Sequence, residues 1–443
     1  LLLGAAGDAG YEIEQSIRFN KSDSAVLSRT PSSTSNRKTF TISFWFKIGA
    51  VGHESAFFVA GNFPGGSSPL FAGILFSNAA AASPRLMFAE YPGGASYTYQ
   101  IATNAIFRDP SAWYHFVASV DTTQSTASDR VKLYVNGELE TDLGFSSYPS
   151  LNHDTYINNS SYVHRIGRYG TTSFYADGYM AEINFIDGTA LDATSFGETN
   201  GNGVWIPKAY SGAYGTNGFY LTGATASDLG EDFSGNNNDF TSTGLATTDQ
   251  MLDTPTNNFC TWNPLDKNTS ITLSEGNLEL AVGSVDSSAR STFAASSGKW
   301  YWEIAITSSS GNGTVGVTNS FHSLSSTPGN STVGVGYRCS DGGKIVNVVY
   351  TPSYGASYTT GDVIGVALNM DDGEVTFYKN NTSQGVAATG LSGTLFAAAG
   401  NENVSSLIWT ANFGQSAFTY TPPTGFLELN TANLATPSIK DGS

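Results

Sequence analysis

The chain has 443 residues, more than the roughly 250–300 at which one hydrophobic core stops growing, so two or more domains are expected. Only 13% of residues are charged while Gly numbers 49 and aromatics reach 13%, a balance that favours strands and turns over surface helices and predicts an all-β fold. Thirty-seven acidic against 20 basic residues give a net charge of -17, which argues against a nucleic acid partner or an anionic membrane surface, since both need a basic face.

Two cysteines, Cys260 and Cys339, allow one bridge at most and form no metal-binding pair, so this is not a disulfide scaffold. No apolar run approaches the roughly 20 residues that span a bilayer. Leu1-Leu2-Leu3 lacks the basic flank of a signal peptide. The start without Met and the polar ending at 430–443 lead us to expect a chain that continues beyond both ends.

In chain order, 11–19 alternates as a short strand, and 39–48 sets Ile42, Phe44, Phe46 and Ile48 on one face and Thr41, Ser43, Trp45 and Lys47 on the other. Short strands are expected near 55–60, 70–76, 85–91 and 97–102, punctuated by Phe63-Pro64-Gly65-Gly66 and Tyr91-Pro92-Gly93-Gly94. A strand at 113–120 and a polar loop follow. Val131, Leu133 and Val135 then alternate with Lys132, Tyr134 and Asn136, and Asn136-Gly137 tolerates the two positive φ angles of a two-residue hairpin. Strands at 164–167 and 177–186 precede a helical turn at 191–196, which Gly197 would cap.

Domain one is therefore expected over 1–200. Residues 201–262, with GNG, SGAYGTNG and SGNNNDF, read as a Gly/Asn-rich connector. A second β domain is expected over 263–427, opening on GKWYWEIAI at 298–306, with a tail at 428–443 leading into a further module. Val375-Thr376-Phe377-Tyr378-Lys379-Asn380 repeats the V-x-L-Y-x-N order of the first hairpin, so a related phrase is used twice.

SFWFKIG at 43–49, AWYHFVASVD at 112–121, RVKLYVNGE at 130–138 and YADGYMAEINFIDGTALDATSFGE at 175–198 resemble the laminin-G-like, concanavalin A-like lectin superfamily. The resemblance implies an antiparallel jelly-roll sandwich that often binds glycans, sometimes through calcium; no calcium ligands can be matched residue by residue, so no cofactor is assigned. With YEIEQSIRFN at 11–20 and YLT at 220–222, the wording is similar to virion proteins of marine bacteriophages, including those of cyanobacteria. GKWYWEIAI, VGVGY at 333–337, GDVIGVALNMDDGEVTFYKNN at 361–381, GTLFAAAG at 393–400 and ANFGQSAFTYTPPTGF at 411–426 resemble a SPRY domain, which implies a β-sandwich that binds protein or peptide partners through loops.

Catalytic patterns are sparse. Glu138, Glu140 and Asp142 have the i, i+2, i+4 spacing that puts carboxylates on one strand face, the place from which a glycosidase reading would start. A solvated face past a hairpin explains them better. None of the five histidines forms a metal-binding pair, and His115 alternates with Trp113 and Val117 as a partly buried residue.

The tyrosines stand in Gly/Ser/Asn-rich settings, the composition of binding loops. Tyr97, Tyr99, Tyr162, Tyr169, Tyr175, Tyr354 and Tyr358 are the candidate binding residues, against the alternative that each packs at a sandwich end. The sequence thus leads us to expect a non-enzymatic phage structural protein located in the virion: a tail fibre, spike or capsid appendage. Its expected partners are other virion proteins and a host-surface polysaccharide or receptor, without nucleic acid or membrane insertion, in a homo-oligomer such as a trimer. The alternatives are a glycan-degrading depolymerase and a purely architectural decoration protein.

Overall fold

The computed structural model describes residues 10–62, 70–77, 85–94, 96–170, 174–283 and 286–434. The fold is all-β, with four short 3-10 turns among the described residues. The chain divides into two compact units, the second beginning at Asn258.

The first unit contains two antiparallel sheets of eight strands each among the described residues. One runs in the order Glu138–Leu139, Val131–Val135, Trp113–Asp121, Thr39–Ile48, Gly178–Asp187, Ser16–Phe19, Gln250–Met251, and Phe219–Leu221 also pairs with Gly178–Asp187. The other runs Leu143–Ser147, Tyr99–Thr103, Arg85–Pro92, Leu70–Ser77, Ser55–Asn62, Val163–Ile166, Val26–Arg29, Thr241–Thr243. Alternation drives Phe40, Ile42, Phe44 and Phe46 onto Phe57, Phe58, Phe88 and Phe116 in one apolar core.

The strand Thr39–Ile48 is buried on both faces. Its other face is covered too: Trp45 packs with Ile13 and Ala181, and Val117 on the neighbouring strand packs with Ile186, Ala193 and Phe196. Of the residues expected as a connector, 201–262, those up to Asn257 belong to this unit. Phe219–Leu221 pairs with Gly178–Asp187, Thr241–Thr243 with Val26–Arg29, and Gln250–Met251 with Ser16–Phe19. Strands of two or three residues between Gly/Asn turns carry no periodicity, so their role is visible only through their distant partners.

In the second unit two long strands, Lys299–Thr318 and Leu395–Asn412, pair along most of their length. Lys299–Ala305 pairs onward with Val363–Asn369, while Thr314–Thr318 pairs with Gly334–Arg338, and register shifts near Ile306/Ser308 and Ser310/Asn312 separate the two halves. Trp262, Trp302, Trp409 and Phe413 are fully buried. Glu303, next to Trp302 in the sequence, is buried as well. Its carboxylate accepts the backbone N–H groups of Thr419 and Tyr420, at 2.7 and 2.9 Å, which offsets the desolvation of its charge.

The repeated phrase has the same local geometry in both units. Asn136 and Gly137 have φ of 47° and 87°, and Asn380 and Asn381 have φ of 46° and 65°, so each forms a two-residue left-handed turn. Asn136 also accepts the His115 N–H on its side chain, at 2.8 Å, while its own N–H donates to the His115 carbonyl. Asn380 does the same with Val363, both bonds at 2.9 Å. One asparagine thus turns the hairpin and closes the start of the preceding strand.

Candidate functional site

Two of the seven tyrosines singled out by sequence are core residues and offer no surface to a ligand. Tyr99 is fully buried because it shares the inward face of its strand with Ile101, and the same alternation was readable in Tyr-Gln-Ile. Tyr358 is buried between Tyr337 and Trp409 and donates its hydroxyl to the Tyr337 carbonyl at 2.7 Å. Tyr97 and Tyr169 join one aromatic cluster: Tyr97 packs edge-on against Tyr91, and Tyr91 and Tyr169 both pack on Phe71. Tyr162 meets Tyr156, Tyr175 meets Arg168, and Tyr354 packs edge-on against Tyr337 with its hydroxyl on the Gly385 carbonyl.

Three arrangements in the first unit have catalytic-type side chains. Ser43 Oγ lies 2.9 Å from His115 Nε2, as in a nucleophile and base pair. The other ring nitrogen, Nδ1, accepts the Trp205 indole N–H at 3.0 Å, so Nε2 carries the proton and donates to Ser43. That tautomer cannot take the serine proton, and burial pushes His115 down to about 3, keeping it neutral. Glu138 and Asp142 are exposed; Glu140 is raised above the usual carboxylate range by partial burial and by Asp142.

The third arrangement is Glu182. It sits in the register shift between Ala181 and Asn184, with φ at +51°. Its carboxylate accepts the hydroxyls of Tyr220 at 2.5 Å and Tyr11 at 3.1 Å, and these hydroxyls are 2.7 Å apart. Burial pushes Glu182 up to about 7 despite both hydrogen bonds. Among the described residues no second carboxylate joins this hydrogen-bonded group, whereas a glycosidase needs a facing pair. Among the described residues no group of three or more His, Cys, Asp or Glu could hold a metal ion.

Among the described residues the most exposed large apolar side chain of the second unit is Phe321, 91% accessible in the loop after Lys299–Thr318. The loop around it is tied down. Phe321 N–H donates to the Asn319 side chain at 3.1 Å, and Arg290, ion-paired to Asp266, donates to the His322 carbonyl at 2.8 Å and the Asn319 carbonyl at 3.3 Å. The Ser288 hydroxyl and His322 are 3.2 Å apart, and Asn268 holds the Leu324 carbonyl at 3.1 Å. A rigid turn therefore presents an aromatic ring to solvent, a costly exposure unless something covers it.

Further along this loop, Gly329 accepts the Val348 N–H at 2.9 Å. Asn347 and Val348 form the tip between the paired residues Val346 and Val349, with φ of 48° and 67°. A β-branched residue is strained there, and Val348 and Val349 are 58% and 64% accessible. Val348→Gly should raise the unfolding free energy by roughly 0.5–1 kcal/mol, the left-handed strain of about 1–2 less the entropy of the new glycine; urea unfolding checks it. Sequence reading missed Phe321 and Val348. The available signal was a lone Phe in the Ser/Thr/Gly-rich run at 319–333.

Two family models match the chain: the Concanavalin A-like lectin/glucanases superfamily over residues 20–195 and the SPRY domain over 299–416. The chain carries both domains, as their sequence phrases predict. Ran-binding protein 9 of Xenopus tropicalis is 34% identical over 169 residues, 36% of this chain and 31% of that protein. The Ran-binding proteins 9/10 homolog of Drosophila melanogaster is 32% identical over 169 residues, covering 36% of this chain and 18% of that protein. The match thus spans a third or less of these relatives. Among solved structures, the human HERC1 SPRY domain (18% identity, TM-score 0.29) and another human SPRY domain (21%, TM-score 0.29) each align with 34% of this chain and with 96% and 98% of theirs.

These relatives correct the expectation of a phage protein. They are cellular proteins of animals rather than virion components. The tail fibre, spike or capsid role, the virion location, and the virion and host-polysaccharide partners are withdrawn, together with the trimer inferred from them. The phrases behind that expectation are strand and turn grammar of the sandwich itself, which constrains packing and not biological setting.

Proposed function

We propose that the chain is a non-enzymatic recognition protein whose SPRY domain seats a protein partner on the loops carrying Phe321 and the Asn347-Val348 tip. The observation that supports this most is Phe321: a large ring at 91% exposure on a turn held by Arg290, Asn319 and Asn268. A preorganised aromatic anchor loses little entropy on binding and is the kind of residue that dominates interface energies. The inverted His115 tautomer and the solitary Glu182 favour recognition over catalysis in the first unit.

Ran, which the relatives' names give as their partner, is the first protein to titrate against the purified chain. Saturable binding that Phe321→Ser weakens by about 30-fold or more, roughly 2 kcal/mol for a central aromatic anchor, supports the reading. Circular dichroism should show the variant folded, because its side chain touches little of the core. Equal affinity of the wild type and the Phe321→Ser/Val348→Asn double variant would remove the binding site from these loops. A wild type that binds neither Ran nor any protein partner for which Phe321 is required would overturn the function.

A further inference from the structure

Glu182 belongs to a ring of oxygens that is one proton short when its carboxyl is ionised. Tyr220 Oη lies 2.5 Å from Glu182 Oε1, Tyr11 Oη lies 3.1 Å from Glu182 Oε2, and the two phenol oxygens are 2.7 Å apart. Contacts this short between oxygens need a proton between the atoms. The two phenols bring two protons to three contacts. The acid form of Glu182 supplies the third: Oε2 donates to Tyr11, Tyr11 to Tyr220, and Tyr220 to Oε1. The ionised form has no complete arrangement. If Tyr11 gives its proton to Oε2, the two phenol oxygens face each other at 2.7 Å with lone pairs only; if it gives the proton to Tyr220, the charged Oε2 has no donor in the ring. Either way one of the two contacts of Tyr11 turns from attraction to repulsion, while Tyr220 keeps Oε1.

The two phenols are not held alike. Tyr220 is on Phe219–Leu221 and pairs with Asn184 in the ladder to Gly178–Asp187. Tyr11 is in the segment 10–15, ahead of the strand Ser16–Phe19. That segment is tied through side chains: Ile13 packs with Trp45 and Ala181, and the Thr256 hydroxyl takes the Ile13 N–H at 3.1 Å and donates to the Ile13 carbonyl at 3.0 Å. Segment 10–15 is therefore the movable side of the ring. Its departure also admits water to the carboxyl, whose burial pushes Glu182 up to about 7.

We propose that the Glu182 carboxyl is a proton-dependent latch on segment 10–15: the acid form closes the ring and holds Tyr11, and the ionised form releases the segment from the sheet face lined by Trp45 and Ala181. The latch closes on the acid side of neutrality and loosens as pH rises through about 7. Burial, then the charge of Glu182, pushes Tyr11 up to about 12 and Tyr214 and Tyr220 above their ordinary range, and burial holds His115, stacked on Trp45, down to about 3. None of these four changes charge near neutrality. The charged groups nearby are Glu14, which acts on Tyr11, Asp232, which acts on Tyr214 and accepts the Tyr220 N–H, and Lys47, which is paired with Asp253. The latch belongs to the first unit and does not depend on the binding role of the SPRY loops.

The test is hydrogen–deuterium exchange of the full chain at pH 5.5 and 8.5, read by mass spectrometry on a peptide spanning 11–15. The rate in the wild type is divided by that in Glu182→Gln at the same pH, so the pH dependence of the exchange chemistry cancels. Glutamine offers the ring one donor and one acceptor at every pH, as the acid form does. The ratio should be near 1 at pH 5.5 and about 10-fold higher at pH 8.5, the loss of roughly one buried hydrogen bond. Tyr11→Phe gives a second comparison should Glu182→Gln not fold: the wild type should exchange about 10-fold more slowly than this variant at pH 5.5 and at the same rate at pH 8.5. Because the release is local, residues 113–121 in the strand Trp113–Asp121 should stay about 10-fold or more better protected than 11–15 in the wild type at pH 8.5. A ratio unchanged between the two pH values in either comparison with a folded variant, or equal protection of 11–15 and 113–121 at pH 8.5, would overturn the proposal.

Discussion

Replacing Asp253 by alanine should lower the unfolding free energy of the first unit by about 3–5 kcal/mol, the loss expected when one partner of a buried ion pair is removed. Lys47 Nζ lies 2.7 Å from Asp253 Oδ2, and the two side chains are 1% and 0% accessible. Asp253 also accepts the Trp113 indole N–H at 3.0 Å, and its carbonyl takes the Ser16 hydroxyl at 2.6 Å. Without the carboxylate, the Lys47 ammonium stays in the interior and loses its ion-pair partner Asp253. The Lys47→Met/Asp253→Ala double variant should recover most of the loss, since the charge that costs energy is gone. Urea unfolding followed by the tryptophan signal of the first unit measures both, and additive losses in the double variant would show that the pair is not coupled.

The second large effect is on pH dependence. Glu182 is held at about 7 against an ordinary 4.5, chiefly by burial. A carboxyl raised in the folded state makes the folded protein bind the proton more tightly than the unfolded chain, so stability is full below 4.5 and declines as pH rises towards 7. The penalty of the charged form reaches about 3 kcal/mol above that window, at 1.36 kcal/mol per pKa unit. Glu182→Gln keeps the shape and cannot ionise. It should match the wild type at pH 4 and exceed it by up to that amount at pH 8, with the gain reduced by whatever the amide loses at the Tyr11 and Tyr220 hydroxyls. Parallel stability profiles from pH 4 to 8 would show that Glu182 titrates normally. The groups around it are Tyr11 from the N-terminal segment and Tyr214 and Tyr220 from the segment following the 3-10 turn at Ala193–Ser195, with Glu14 near Tyr11.

Both effects turn on residues that sequence reading placed apart. Lys47 was on the polar face of its strand, and Asp253 belonged to a connector. For Glu182, no local pattern marks the backbone turn that gives it a positive φ. Tyr175 was legible as a loop tyrosine, but its setting depends on a bridge to Arg168. For Phe321 the residue type was visible, while its exposure depends on Arg290 reaching across from another strand.

By itself the sequence determined the all-β class, the two sandwich domains and the two asparagine hairpins. Period-two alternation and left-handed turn residues act within a few positions of one another, and those interactions are written locally. Only the tertiary structure decided that 201–257 completes the first unit, that Tyr358 is core, and that the charged side chains of Lys47 and Asp253 meet in the interior. Burial, ion pairing and pKa displacement depend on which distant segment covers a face, and nothing in the local pattern of either segment records its partner.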